Sequence, residues 1–96
     1  QDDEFVAKVA ENNRVGLQLL QNFFDEKGLR YVPSKGNFVM LDLHQPAAPI
    51  YQALLRKGVI VRPLAGYGLP NHLRISIGLP EENQRFLTAL SDILGL

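Results

Sequence analysis

Apolar side chains recur through the first 28 residues at intervals close to the 3.6-residue period of an α-helix. They are Val6, Val9, Ala10, Leu17, Leu20 and Phe24. Asp2 and Asp3 suit the start of such a helix, where carboxylates accept hydrogen bonds from free N–H groups. Gly28 suits its end, because glycine adopts a positive φ without strain. We therefore predict one long amphipathic helix that ends at Gly28.

Four short apolar segments predict β-strands. Residues 29–32 suit a short edge strand stopped by Pro33. Residues 38–43 are almost continuously apolar, which predicts a strand covered on both faces, and residues 59–61 predict a second buried strand. Residues 73–77 alternate strictly between apolar and polar, which is typical of a strand with one buried face.

Two further helices and a loop complete the pattern. Pro46 suits the start of a helix that runs to Lys57 and is capped by Gly58. Pro80 starts the last helix, and residues 63–71, rich in Pro and Gly, predict a loop. The predicted inward side chains are Tyr51, Leu54 and Leu55 in the first of these helices and Phe86, Leu90, Ile93 and Leu94 in the second.

The order α-β-α-β-β-α predicts a single domain over residues 1–96, of the α/β (α+β) class with two layers. We expect a small mixed sheet of about three or four strands packed on helices. If strands 38–43 and 59–61 are parallel neighbours, the helix between them makes a right-handed crossover. The last two strands, joined by a loop of nine residues, favour an antiparallel pair.

Composition removes several classes of partner. Ten basic and ten acidic residues cancel, which argues against nucleic acid and acidic membrane surfaces. No apolar run approaches the length of a membrane span. The absence of cysteine excludes disulfides and thiolate chemistry and is compatible with a cytoplasmic protein. Because the chain begins at Gln1 rather than methionine, we expect a processed or excised piece of a longer protein.

Few side chains suggest catalysis. His44 and His72 stand apart from other metal-ligating residues in the sequence, so no metal site is predicted. The serines lie outside any nucleophile motif, and the glycines at 66 and 68 do not form a phosphate-binding loop that enters a helix.

Two arginines remain. Arg62 ends the predicted 59–61 strand, and Arg74 lies on the polar face of the 73–77 strand with His72 and Ser76. If the two strands are adjacent, both guanidinium groups reach one point and suit a carboxylate or a phosphate. The alternative is a pair of solvated surface arginines, or of ion-pair partners for Asp42 or Glu81, and spacing alone favours that alternative.

Two segments carry a family resemblance. GVIVRPLAGYGLPNHLRISIG at residues 58–78 and PSKGNFV at residues 33–39 resemble the C-terminal small domain of histidinol-phosphate aminotransferases, which are type I pyridoxal-phosphate enzymes. The resemblance implies transamination between L-histidinol phosphate and 2-oxoglutarate, the latter giving glutamate. It implies that Arg74 binds the anionic end of the substrate, with Arg62 near the phosphate. Asn37 is a weaker substrate-binding candidate, with an Asx turn or a strand-start cap as the alternative.

The resemblance also implies what this chain does not contain. No segment resembles the Ser/Thr-x-x-Lys motif of the Schiff-base lysine, and Lys8, Lys27, Lys35 and Lys57 lie in polar or helix-end settings. We therefore expect no catalytic, cofactor-binding or metal-binding residue in these 96 residues. Pyridoxal phosphate would bind to a large domain preceding Gln1 in a homodimeric full-length enzyme, and the isolated chain would be inactive.

Two alternatives remain open. The chain could be a stand-alone α/β module that binds a carboxylate or phosphate metabolite, or the small domain of a related aminotransferase or decarboxylase. The first helix distinguishes a stand-alone module from a domain of a larger enzyme. A helix that packs on another domain of the enzyme has apolar side chains that are exposed in this chain alone, whereas a stand-alone module would cover them. Phe5, Val15 and Phe23 lie off its main apolar stripe and are the candidates for that surface.

Overall fold

The computed structural model describes residues 2–33 and 37–96. The elements in chain order are helix α1 (Asp2–Lys27), strands β1 (Arg30–Pro33) and β2 (Phe38–Asp42), helix α2 (Ala47–Arg56), strand β3 (Arg62–Pro63), a 3-10 helix (Ala65–Tyr67), strand β4 (His72–Ser76) and helix α3 (Pro80–Leu94). The predicted α/β two-layer class is confirmed, and the strand before β2 is present as an edge strand. No helix in these two ranges combines the length and apolar composition needed to cross a membrane.

The sheet formed by the described strands has the order β1-β2-β4-β3. Every neighbouring pair is antiparallel, so the predicted mixed sheet is wrong, whereas the antiparallel pairing of the last two strands is confirmed. The conditional crossover does not arise, because β4 lies between β2 and β3. The lengths of the strands explain why β4, rather than β3, lies beside β2: β4 pairs with β2 over five residues, whereas β3 has only two residues to pair.

The segment expected to form the second buried strand is not a strand over residues 59–61. Val59 and Val61 are buried, but Ile60 between them is 83% exposed, and pairing with β4 begins only at Arg62. Pro63 lacks an N–H donor, which is tolerated because β3 is an edge strand.

Strand β2 is covered on one face only, contrary to the expectation of two. Val39 and Leu41 are completely buried, whereas Phe38, Met40 and Asp42 are half-buried. Side chains alternate between the faces of a strand, so the second set lies on the face opposite the core. The sheet therefore has a helix-covered face and an open face.

The core lies between the sheet and the three helices. Its completely buried members are Leu20, Phe24, Val39, Leu41, Leu54, Leu73 and Leu90. The Phe24 ring connects the layers, with ring centroids 5.4 Å from Tyr31 of β1 and 6.5 Å from Phe86 of α3. Phe86 and Leu90 are buried as predicted, and Ile93 and Leu94 pack partly against the core.

Helix α2 begins after Pro46 and is followed by Gly58 at φ +78°, as predicted. Its buried residues are Ala47, Ile50 and Leu54, and of the three residues predicted to face inward only Leu54 is among them. Leu55 is 38% exposed, and Tyr51 is half-buried at the margin of the core. The expectation that Leu55 points inward is therefore wrong, because the helix contacts the core along the narrower stripe that begins at Ala47.

Helix α1 ends before Gly28, which has φ +71°, as predicted. At 26 residues it is about 39 Å long, and the described residues of its first two turns are exposed. Phe5 and Val15 are exposed as expected, but so are Val6 and Val9, for which the helical period predicts an inward position. Phe23 is half-buried, contrary to expectation, because its ring packs edge-on against Phe24.

A buried polar cluster joins α1 to the turn between β4 and α3. Asn83 is 3% exposed, donates a hydrogen bond to the Gly78 carbonyl (3.1 Å) and accepts one from the Gly78 N–H (2.8 Å). Asn12 of α1 donates to the same carbonyl (3.1 Å). We call Asn12, Gly78 and Asn83 the Gly78 clamp. It holds the end of β4, two residues beyond Ser76, against the long helix.

Candidate anion-binding site

The open face of the sheet carries both predicted arginines. The β3–β4 register places Arg62 directly opposite Arg74, and cross-strand partners project to the same face. Leu73 and Ile75 of β4 are buried on the helix side, so Arg74 faces away from the helices, as the alternation predicted. The structure thus brings together two cationic side chains that lie twelve positions apart in the sequence.

No carboxylate pairs with either arginine within the described residues. Asp42, one of the two acidic partners that the sequence offers, contacts histidines instead: its Oδ1 accepts the His44 backbone N–H (2.9 Å), and its Oδ2 lies 3.9 Å from His72 Nε2. Glu81, the other one, lies at the exposed start of α3. The ion-paired alternative is therefore wrong for this part of the chain.

Arg74 is half-buried and incompletely satisfied. Its guanidinium carbon lies 4.9 Å from the centroid of the Phe38 ring, a cation–π contact that orients the side chain across the neighbouring strand. Its Nε is buried and has no hydrogen-bond partner. A buried donor without an acceptor costs about 1–3 kcal/mol, so this N–H is stabilised by any acceptor that reaches it.

A cavity of about 360 Å³ lies between α2 and the β3–β4 pair. Both arginines line it, together with Tyr51, Ser76, Pro63 and residues 60–61. Among the described residues, no acidic side chain contributes to the lining. Two cationic forks and two hydroxyl groups around one space suit a ligand that carries several anionic oxygens.

Tyr51 and Ser76 were not predicted as site residues. Strand alternation contained the signal for Ser76, which shares a face with Arg74 two positions earlier. No sequence signal identifies Tyr51, because the helical period assigns it to the core, and only the packing of α2 beside β3 brings it to the cavity.

The third predicted site residue, Asn37, lies elsewhere. Its carbonyl accepts a hydrogen bond from the Ile77 N–H (2.6 Å), which joins the start of β2 to the end of β4. The residue lines a different cavity, of about 400 Å³, beside Phe5 and Val9 of α1. The structure therefore places Asn37 apart from the two arginines. Ser34 and Lys35 of the resembling segment lie outside the described residues.

The two histidines are neighbours in space although they are 28 positions apart. His44 Nε2 lies 3.7 Å from Asp42 Oδ2, and His72 shares that oxygen. The two histidines, which are far apart in the sequence, are therefore close together in the fold. Across residues 2–33 and 37–96, no three His, Cys, Asp or Glu side chains are arranged to hold a metal ion.

The fold and the site define a two-layer α/β domain with an open sheet face on which two arginines have no acidic partner among the described residues. A family model described as "Aminotransferase class I and II" matches residues 1–90. The chain belongs to this aminotransferase family.

Individual relatives narrow the comparison. The chain is 80% identical over 95 residues to histidinol-phosphate aminotransferase 2 of Pasteurella multocida, covering 99% of this chain and 26% of that protein. It is 67% identical over 93 residues to the protein of the same name from Haemophilus influenzae, covering 97% and 25%. The chain thus spans about a quarter of the length of these relatives.

The fold extends to an aminotransferase named for another substrate. A double mutant of Thermus thermophilus aspartate aminotransferase superposes with a TM-score of 0.71 at 28% identity, over 91% of this chain and 25% of that one. The backbone alone therefore does not select the substrate, and the side chains of the site must be considered.

Proposed function

We propose that this chain is the small C-terminal domain of a pyridoxal-phosphate-dependent aminotransferase that transfers an amino group between L-histidinol phosphate and 2-oxoglutarate. The names of the two relatives at 80% and 67% identity support the substrate. The observation that carries the proposal is the pairing of Arg62 with Arg74 across β3 and β4, on the open face and without a carboxylate among the described residues.

The two arginines suit the two substrates. A phosphate monoester is nearly dianionic at neutral pH, and two planar guanidinium groups match its charge and its several oxygens. We propose that Arg74 binds the phosphate of histidinol phosphate and the α-carboxylate of glutamate, with Arg62 assisting mainly on the phosphate. We propose that Asn37 acts indirectly: its backbone carbonyl accepts a hydrogen bond from Ile77, the residue after β4, and so helps to hold that strand in position.

The described lysines do not suit the cofactor. Lys8 and Lys27 are exposed on α1, and Lys57 Nζ lies 2.6 Å from Asp92 Oδ2 at an exposed position. None of them lies in the desolvated pocket that lowers the pKa of a reactive amine. We therefore propose that pyridoxal phosphate, which supplies the electron sink of the reaction, is held by the rest of the protein. The isolated 96 residues would then have no activity.

The exposed apolar side chains of α1 suit contact with a neighbouring domain. Phe5, Val6, Val9 and Val15 of this helix are all at least 48% exposed. A stand-alone binding module would cover such a surface, which argues against that alternative. We propose that the large domain packs on it in a cytoplasmic, homodimeric enzyme.

The test is kinetic and uses the full-length protein. We expect Arg74→Ala to lower kcat/KM for histidinol phosphate and for glutamate by about 30-fold to several thousand-fold, because truncating one partner of a charge-assisted pair that the ligand buries costs about 2–5 kcal/mol. Arg74→Lys should recover little, since an ammonium group does not reproduce the planar fork. Arg62→Ala should affect histidinol phosphate more than glutamate.

Arg30 provides the matched control. It lies on the same open face, opposite Asp42 at the far edge of the sheet, and does not line the arginine cavity. Arg30→Ala should leave both kcat/KM values within about twofold of the wild type, as expected for an exposed side chain. Near-normal kcat/KM values for Arg74→Ala, or unfolding of that variant in melting curves, would refute the assignment.

A further inference from the structure

We propose that Tyr51 and Ser76 are specificity-determining residues that donate hydrogen bonds from their hydroxyl groups to the phosphate of the substrate, and so favour a phosphate monoester over a carboxylate. The inference rests on the proposed function, and it adds two residues that neither the sequence pattern nor the family resemblance identified.

The first argument is placement. Ser76 lies two positions after Arg74 on β4, so both side chains project to the open face about 6–7 Å apart along the strand. Tyr51 belongs to α2 and lines the cavity together with Arg62 and Pro63 of β3. Both residues line the same 360 Å³ cavity as Arg62 and Arg74. The four side chains therefore surround one space from a helix and two strands.

The second argument is the hydrogen-bonding state of the hydroxyl groups. Among the described residues, neither Tyr51 nor Ser76 makes a side-chain hydrogen bond. Tyr31 differs, because its hydroxyl donates to Asp25 Oδ1 (2.9 Å). Tyr51 is half-buried and Ser76 is exposed, so both hydroxyl groups remain available to a ligand in the cavity.

The third argument is the shape of the ligand. A carboxylate presents two oxygens in one plane, which one guanidinium fork satisfies. The terminal oxygens of a phosphate monoester are arranged tetrahedrally, so two forks leave acceptor positions outside their planes. Hydroxyl donors from a third direction fill those positions, and they offer little to a planar carboxylate already bound to Arg74.

The experiment compares Tyr51→Phe and Ser76→Ala in the full-length protein. We expect each change to raise the KM for histidinol phosphate about tenfold, which is typical for the loss of a hydrogen bond to a charged group. The KM for glutamate should stay within about twofold. Inorganic phosphate serves as an independent probe: its dissociation constant, measured by calorimetry, should rise by a similar factor in each variant.

Three further variants control for structural effects. Ser76→Thr keeps the hydroxyl and should restore wild-type KM values. Tyr67→Phe and Ser91→Ala remove hydroxyl groups that do not line the cavity, and they should change neither KM nor phosphate binding.

The outcomes separate the inference from the proposed function. If the wild-type protein does not convert histidinol phosphate, the proposed function fails. The titration with inorganic phosphate then still tests the inference: weaker phosphate binding by Tyr51→Phe supports it, and unchanged phosphate binding refutes it. If the wild-type protein is active but both variants keep a normal KM for histidinol phosphate, only the inference fails. Equal increases for glutamate and histidinol phosphate would also refute it.

Discussion

The Gly78 clamp lies just after β4, two residues beyond the cavity residue Ser76, and the hydrogen bonding of its polar groups is the opposite of that in the arginine cavity. In the clamp, Asn83 is almost completely buried, and its amide oxygen and nitrogen both have hydrogen-bond partners. In the cavity, Arg74 Nε has no acceptor, and Arg62 has no acidic partner among the described residues.

The difference separates stability from binding. A satisfied buried group stabilises the fold, because breaking its hydrogen bonds leaves unpaired donors and acceptors away from water. A donor without an acceptor, such as Arg74 Nε, adds no hydrogen-bond energy to the fold until a ligand arrives, so its removal should weaken binding rather than lower stability. The turn that follows β4 is therefore specialised for structure, whereas the open face of the strand just before it is suited to recognition.

The largest expected effect comes from breaking the clamp. Asn83→Leu leaves the Gly78 N–H without its acceptor and removes a donor to the Gly78 carbonyl in a buried setting. We expect the free energy of unfolding to fall by about 3 kcal/mol. Urea unfolding of the 96-residue chain measures it.

The matched change on the open face is Arg74→Leu, which removes both the cation–π contact with Phe38 and the buried Nε donor that has no acceptor. The first loss is destabilising and the second is stabilising, so the two effects offset each other. The substitution should alter the free energy of unfolding by no more than about 0.5 kcal/mol. Equal losses in Asn83→Leu and Arg74→Leu would contradict the comparison, because Arg74 would then be a structural residue.

A smaller effect is expected from adding one methyl group beside the clamp. A Cβ at Gly16 would lie 2.6 Å from both Asn83 Nδ2 and Ile77 Cγ2, closer than side chains approach without displacement. Alanine favours a helix over glycine by about 1 kcal/mol, but crowding in a packed core costs about 1–3 kcal/mol. The difference is centred on a net loss, so we expect Gly16→Ala to lower the free energy of unfolding by about 1 kcal/mol.

Gly66→Ala is the control for that substitution. A Cβ at Gly66 would meet no atom within 4 Å, and this glycine lies in the exposed 3-10 helix. It should leave the urea midpoint unchanged. If Gly16→Ala is as stable as the wild type, then the contact between α1 and the clamp is looser than the structure indicates.

The smallest effect concerns a polar pair that is satisfied but exposed. Lys57 lowers the pKa of Asp92, first through its hydrogen bond and then through its charge. Because the folded pKa is depressed, the pair contributes stability above the unfolded carboxyl pKa of about 3.9 and loses it as the pH falls through the folded value. Asp92→Asn should slightly flatten the fall of the urea midpoint below about pH 4.

Lys57→Met should remove the same part of the pH dependence, because it removes the partner that depresses the Asp92 pKa. If Asp92→Asn lowers the midpoint as much as Asn83→Leu at neutral pH, then an exposed hydrogen-bonded pair would stabilise this fold as strongly as the clamp does. That result would contradict the idea that burial gives the clamp its larger effect on stability.

Local patterns predicted the elements that depend on neighbouring residues. Gly28 and Gly58 end their helices with positive φ, because the signal for a helix end lies within one turn of the chain. The two faces of β4 follow from alternation alone. The predictions of a mixed sheet and of a 59–61 strand are wrong. Strand pairing joins residues that are far apart in the sequence, and a local pattern does not specify which two strands pair.

The sequence by itself determined the helix ends, the polar face of β4 and the two arginines as the candidates for anion binding. Only the tertiary structure decided that Arg62 stands opposite Arg74, that Tyr51 reaches their cavity and Asn37 does not, and that Asp42 turns to the histidines. The physical reason is that periodicity records which face a residue occupies, whereas partners and burial depend on which faces are packed together.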